Sequence, residues 1–179
     1  EQQRHRGGFE QAALDRALEA TRKGPLKGLV LDLRDNPGGL LEASIEVTSR
    51  FVNGGEVVST RGRHDTDSKR YNAVRANRYP NVPIVVLVNG GSASAAEIVA
   101  GALKDRERAV IMGVTSFGKG SVQTVLPLGP NKGAMRLTTS RYYTPSGKSI
   151  QGSGIEPDVE VAQVRLSEKD IADLKTRAA

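Results

Sequence analysis

The sequence predicts an α/β fold, a mostly parallel sheet with helices on its faces, followed by a C-terminal antiparallel β-hairpin region. Short apolar runs alternate with helical patterns as far as residue 112, the signature of strand-helix-strand units. Two of those runs, Gly28 to Leu33 and Ile84 to Val88, are apolar at nearly every position, as strands buried on both faces are. Beyond residue 112 the pattern changes to β-branched runs flanking turn residues.

The elements follow in order. Phe9 to Lys23 reads as an amphipathic helix, with Phe9, Ala13, Leu14, Ala17 and Leu18 on one side and Glu10, Asp15, Arg16, Glu19 and Arg22 largely opposite. Gly24-Pro25 stops it. Gly28 to Leu33 is the first strand, and Asp35 to Gly39 is a turn cluster. Leu40 to Val52 has helical spacing through Leu41, Ile45, Thr48 and Val52, and Asn53-Gly54-Gly55 ends it. Glu56 to Thr60 is a second strand, expected in the same sheet. Arg61 to Asn81 is polar and mixed and reads as a long surface excursion of the kind that can serve as a lid.

Ile84 to Val88 is the third strand, Asn89 to Ser94 a tight loop, and Ser94 to Lys104 a helix of small residues. Ala109 to Met112 is the fourth strand. Ser121 to Leu128 and Ala134 to Tyr143, either side of Gly129 to Gly133, are read as a hairpin. Pro145-Ser146-Gly147 is a turn and Ile155 to Val161 a last short strand. Leu166 to Arg177 reads as a terminal helix with Ser167 as its N-cap and Asp170 in its first turn. No internal repeat or second domain is evident.

Composition narrows the function. The 179 residues are 37% hydrophobic and 26% charged, which fits a packed globular domain. With no cysteine, disulfides, thiolate metal sites and a cysteine nucleophile are excluded. The net charge of +6 is scattered, clustering only at Arg61 to His64 and at Lys69-Arg70, and aromatic residues are 4%. That argues for a solvated basic surface and against nucleic-acid binding. The histidines, His5 and His64, sit in polar, arginine-bearing stretches and are poor candidates for a catalytic base.

Ligands in open α/β sheets collect beyond the carboxyl ends of the strands. Asn36 to Gly39, Asn89 to Ser94 and Gly113 to Gly120 fall there, which points to one shared site. Gly113, Gly118 and Lys119 match the start of a phosphate loop, but Gly120 replaces the expected Ser or Thr, and the following residues read as a strand where a helix N-terminus is needed. Nucleophilic catalysis fits better. Ser92 and Ser94 lie between a buried strand and a helix, where a sharp turn exposes a hydroxyl and aims helix N–H groups at developing negative charge. A serine needs a base, and lysine is the alternative to histidine. Lys119 must then be uncharged, which burial in a dry pocket without a carboxylate neighbour brings about. No acid lies between Glu107 and Glu156 in the sequence. Gln123 is a neutral group able to orient an amine, provided the chain bends between the two. The plainer readings are Ser94 as a helix cap, Lys119 as a surface lysine and Gln123 as a solvated strand residue.

Leu31 to Leu40 (Leu-Asp-Leu-Arg-Asp-Asn-Pro-Gly-Gly-Leu), Val88 to Ile98, Gly113 to Gln123, Arg141 to Gly147 and Gly154 to Val159 together resemble the carboxyl-terminal processing (tail-specific) serine proteases. The resemblance runs from about Lys27 to Val161. It implies a ββα superhelix core related to the crotonases and Clp-type peptidases, and residues 1–179 as a protease catalytic core. It implies Ser94 as nucleophile, Lys119 as base, Gln123 as its support, and the backbone N–H groups of Gly39 and Ala95 as oxyanion hole. It calls for no cofactor and no metal. Its expected substrates are unfolded or tail-exposed proteins, some of them at membranes, in the bacterial periplasm or envelope, with the thylakoid lumen second. Oligomers would form through regions outside this chain.

The chain departs from the family pattern in lacking a PDZ-length segment and the usual first core strand, so a fragment is expected. Ala96 stands where a third serine is common. The competing readings are a non-catalytic peptide-binding module and a crotonase-like acyl-thioester enzyme, the latter resting on fold analogy alone.

Overall fold

The computed structural model describes residues 14, 16–20, 26–74, 79–130 and 132–162. Residues 14 and 16–20 are helical, with Leu18 buried in the core. The rest of the predicted helix Phe9 to Lys23, His5, and the predicted terminal helix with Ser167 and Asp170 lie outside the described residues.

The fold is mixed α/β, with two four-stranded sheets. The parallel sheet has the order β1 (Leu29–Asp32), β4 (Ile84–Val88), β5 (Val110–Gly113), β8 (Val159–Glu160). The antiparallel sheet has the order β3 (Lys69–Asn72), β2 (Glu56–Arg61), β7 (Ala134–Tyr143), β6 (Ser121–Pro127). The helices α1 (Leu41–Ser49) and α2 (Ala95–Asp105) pack on one another. The core is built from Val86 and Val88 of β4, Ile111 of β5, Val57 and Val58 of β2, Leu103 of α2, and Phe51. Small residues on α2 permit close approach. A Cβ on Gly101 would sit 2.9 Å from the Thr144 methyl and 3.0 Å from Ile155.

Two expectations are corrected. The strand at Glu56 to Thr60 is not in the parallel sheet. It pairs antiparallel with β7 through Ser59–Tyr143, Thr60–Tyr142 and Arg61–Arg141. Its residues 57–60 are all buried, so its apolar pattern reported burial and carried no information on which sheet it joins. The stretch Arg61 to Asn81 is not a plain excursion either. It contains a 3-10 turn, Asp65–Asp67, and the strand β3, whose Lys69 and Arg70 disguised it as loop. β3 is an edge strand whose Lys69, Arg70 and Asn72 are exposed, and there charge is tolerated and discourages further pairing. His64 begins the 3-10 turn and is exposed.

The end of α2 is tied to the loop after β7. The Ser146 N–H donates to Asp105 Oδ2 at 2.8 Å. Burial pushes the Asp105 carboxyl up, but hydrogen bonds from Thr144 and Ser146 and the charge of Lys148 outweigh it and hold it below its usual range. A carboxyl lowered on folding stabilises the fold above its unfolded pKa and loses that contribution as pH falls through the folded value. Asp105→Asn is therefore expected to destabilise the protein at neutral pH. The gap between wild type and variant should begin to close as pH falls below the usual aspartate value of about 3.9 and vanish only below the lowered folded value, read as unfolding midpoints across an acid series. A gap that is constant over the series would refute the contribution.

Candidate active site

The order β1-β4-β5 brings the three glycine-bearing loops to the carboxyl ends of three neighbouring parallel strands. They are joined directly. The Ala93 N–H donates to the Asn36 carbonyl and the Phe117 N–H to the Ser92 carbonyl, both at 2.9 Å. Asn89 closes the first two loops side to side. Its Oδ1 accepts from the Asp35 and Gly91 N–H groups at 2.9 Å, and its Nδ2 donates to Asp35 Oδ1 at 3.1 Å.

The two serines of this loop have different roles. Ser92 is fully buried, and its hydroxyl donates to the Leu33 carbonyl at 2.6 Å and accepts from the Asn89 N–H at 3.0 Å. It fastens the loop to the end of β1 and has no access to a ligand. Ser94 is only partly buried and stands at the turn from β4 into α2 with φ 57° and ψ −119°. A non-glycine residue at positive φ costs about 1–3 kcal/mol and persists only where its surroundings impose it. This strand-turn-helix elbow presents a hydroxyl at the head of a helix.

Gly38 (φ 98°) packs against the elbow. A Cβ there would lie 2.7 Å from the Ala93 carbonyl oxygen, 2.7 Å from the Ala95 nitrogen and 2.8 Å from Ser94 Cβ. The absence of a side chain at 38 thus lets the 36–39 loop close on the Ser94–Ala95 backbone. The N–H groups of Gly39 and Ala95 have no protein acceptor among the described residues. Beside them lies an apolar cavity of about 270 Å³, lined by Leu31 of β1, Leu33 just beyond it, Ala43 and Val47 of α1, and Ala96 and Val99 of α2.

Lys119 follows Ser116, Phe117 and Gly118 in the third loop. Its backbone, not its side chain, is held. The flanking glycines admit the segment 150–154. A Cβ on Gly120 would lie 2.3 Å from the Gln151 nitrogen, and one on Gly118 3.1 Å from the Gly152 and Gly154 nitrogens. The Lys119 side chain is exposed, which corrects the expectation of a dry pocket. The packing of 150–154 against its backbone directs it outward. Gln123 is also exposed, and the strand carrying it is irregular, with a register shift between Val122 and Gln123. Such a bulge bends a strand and re-aims its side chains. β6 directly follows the Gly113–Lys119 loop, so no helix N-terminus is present to cradle a phosphate. No cluster of metal-ligating side chains occurs among the described residues, and no helix among them is long and apolar enough to cross a membrane.

Sequence reasoning missed Glu97. It stands three residues after Ser94 in the first turn of α2, fully buried. Its Oε2 accepts from the Ser94 and Lys119 N–H groups, both at 2.8 Å. Its Oε1 accepts from the Ser116 hydroxyl and the Gly118 N–H, both at 2.6 Å. The available signal was the Ser-x-x-Glu spacing of a helix-capping box. That pattern predicts the contact to Ser94 but not the contacts to a loop twenty residues on.

Residues 7–161 match peptidase family S41. The chain belongs to that family. It is 64% identical over 138 residues to the carboxy-terminal-processing protease of Bartonella bacilliformis, covering 77% of this chain and 32% of that protein. It is 41% identical over 153 residues to the chloroplastic C-terminal processing peptidase of Tetradesmus obliquus, covering 84% of this chain and 32% of that one. Among solved structures it is similar to a photosystem II D1 C-terminal processing protease, with a TM-score of 0.75 and 37% identity over 87% of this chain and 39% of the other. This S41 chain thus spans about a third of the length of the relatives it matches.

Proposed function

We propose that the chain is the catalytic core of a serine endopeptidase that cleaves proteins near their C-termini, and that residues 1–179 form a single such core of the ββα-superhelix type. The observation that carries this reading is the strained Ser94 elbow, with Gly38 packed against it, at the meeting of three loops.

In this reading Ser94 Oγ attacks the scissile carbonyl while the uncharged Lys119 amine takes its proton. The Gly39 and Ala95 N–H groups hold the oxyanion. Lys119 then gives its proton to the leaving amine as the C–N bond breaks, and water releases the acyl group from Ser94. Gln123 orients the amine. The apolar cavity beside Ala95 receives the side chain on the acyl side of the bond. Because Lys119 is exposed, the exclusion of water that its role needs comes from the substrate chain laid over the loop. The substrates are unfolded or tail-exposed proteins. The site of action, by likeness to the bacterial relatives, is the envelope or periplasm.

Lys119→Ala is expected to abolish cleavage of an unstructured casein by the full-length protein while leaving its thermal unfolding unchanged, because the side chain is exposed. Undiminished cleavage would sink the assignment of the base.

A further inference from the structure

We propose that Glu97 is a positioning residue that locks the nucleophile elbow to the loop carrying the base. The proposal rests on the Ser94–Lys119 reading and extends it to a group outside the reacting atoms. One carboxylate oxygen binds the backbone N–H of both Ser94 and Lys119. The other binds Ser116 and Gly118, directly before Lys119. Four donors converge on two oxygens, and no water-accessible surface remains on the residue. A buried carboxylate is tolerated only when its lone pairs are filled in this way.

A helix cap alone would need only the bond to Ser94. The three further donors come from a loop more than eighteen residues away in sequence, and they place the Lys119 backbone against the same oxygen as the strained Ser94. Ser116 extends the tie, since its hydroxyl also accepts from the Ile155 N–H at 2.7 Å. One carboxylate therefore fastens the elbow to the base loop at Ser94 and Lys119 themselves, beside the Phe117 N–H bond to the Ser92 carbonyl. Only a carboxylate serves. A Gln at 97 has one acceptor oxygen, and its amide N–H₂ must face at least one backbone donor that cannot turn away. An Asp keeps the charge and can still cap α2, but it is one methylene too short to hold both partners.

The test uses the full-length protein, an unstructured casein as substrate and a fluorophosphonate as a probe of serine reactivity. Glu97→Gln and Glu97→Asp are expected to lower kcat about 10²-fold, with KM within about 2-fold and with fluorophosphonate labelling of Ser94 slowed in parallel. A merely structural role would lower the folded fraction without changing kcat or the labelling rate per folded molecule. Folded variants with wild-type kcat and labelling would overturn the proposal, as would a loss confined to KM. Should Glu97→Gln not fold, Glu97→Asp decides alone, because its charge still complements the helix N-terminus. Failure of the protease reading itself is distinguishable, because the wild type would then neither cut casein nor be labelled at Ser94.

Discussion

Replacing Ser94 by alanine is expected to lower casein cleavage by about 10⁴-fold or more, while Ser92→Ala, two positions away, mainly lowers stability. The contrast follows from where each hydroxyl is used. The one donor that the Ser94 hydroxyl caps, the Glu97 N–H, is also bonded to the Ser94 carbonyl at 2.9 Å, and Ser94 sits on a strained turn at the head of α2. Removing the hydroxyl deletes the attacking atom and leaves the packing in place. The Ser92 hydroxyl is fully buried between the Leu33 carbonyl and the Asn89 N–H. Its removal leaves the buried Asn89 N–H unpartnered and the Leu33 carbonyl with only the longer 3.3 Å bond from the Asn36 N–H, costing about 1–3 kcal/mol for the orphaned donor. Turnover numbers and denaturant midpoints for both variants, measured side by side, check this. Substantial cleavage by folded Ser94→Ala would refute the assignment of the nucleophile, whatever Ser92→Ala does.

Gly38→Ala is the second substitution expected to have a large effect. The new methyl would meet the Ala93 carbonyl oxygen and the Ala95 nitrogen at 2.7 Å and Ser94 Cβ at 2.8 Å. Two of these are backbone atoms that cannot swing aside, and the φ of 98° is itself unfavourable for alanine. The loop 36–39 must retreat from the elbow, which separates the Gly39 and Ala95 N–H groups. Loss of one oxyanion donor costs about 10²–10³ in kcat, and the strain adds about 1–3 kcal/mol of destabilisation. Gly90→Ala, in the neighbouring loop, is the control, since a Cβ there meets nothing within 4 Å. Equal kcat for Gly38→Ala and wild type would show that this close approach does not set the site.

How much could be read in advance varies with the reach of the interaction. α1 and α2 were legible because helical periodicity and end signals such as Asn53-Gly54-Gly55 are local. β4 was legible because its unbroken apolar run is the imprint of burial. The convergence of the three loops was legible as soon as the strands were, since the carboxyl ends of parallel neighbours face one way. β3 was not legible, because Lys69, Arg70 and Asn72 of this short edge strand are exposed and Tyr71 alone packs toward the core, too little to make an apolar period. The placing of β2 was missed because burial on both faces erases the alternation that would tell one sheet from another.

Residue order alone thus settled the element types over most of the described chain and the meeting of the glycine-bearing loops, because periodicity, turn chemistry and motif spacing act over a few residues. Contacts between distant segments settled the rest. Those contacts separate the buried, structural Ser92 from the strained Ser94. They turn the Lys119 side chain toward solvent, and they make Glu97 the common acceptor for the Ser94 elbow and the loop that carries Lys119. A hydrogen bond spanning more than twenty residues of chain leaves no local trace, and only the folded arrangement of the loops brings its donor and acceptor together.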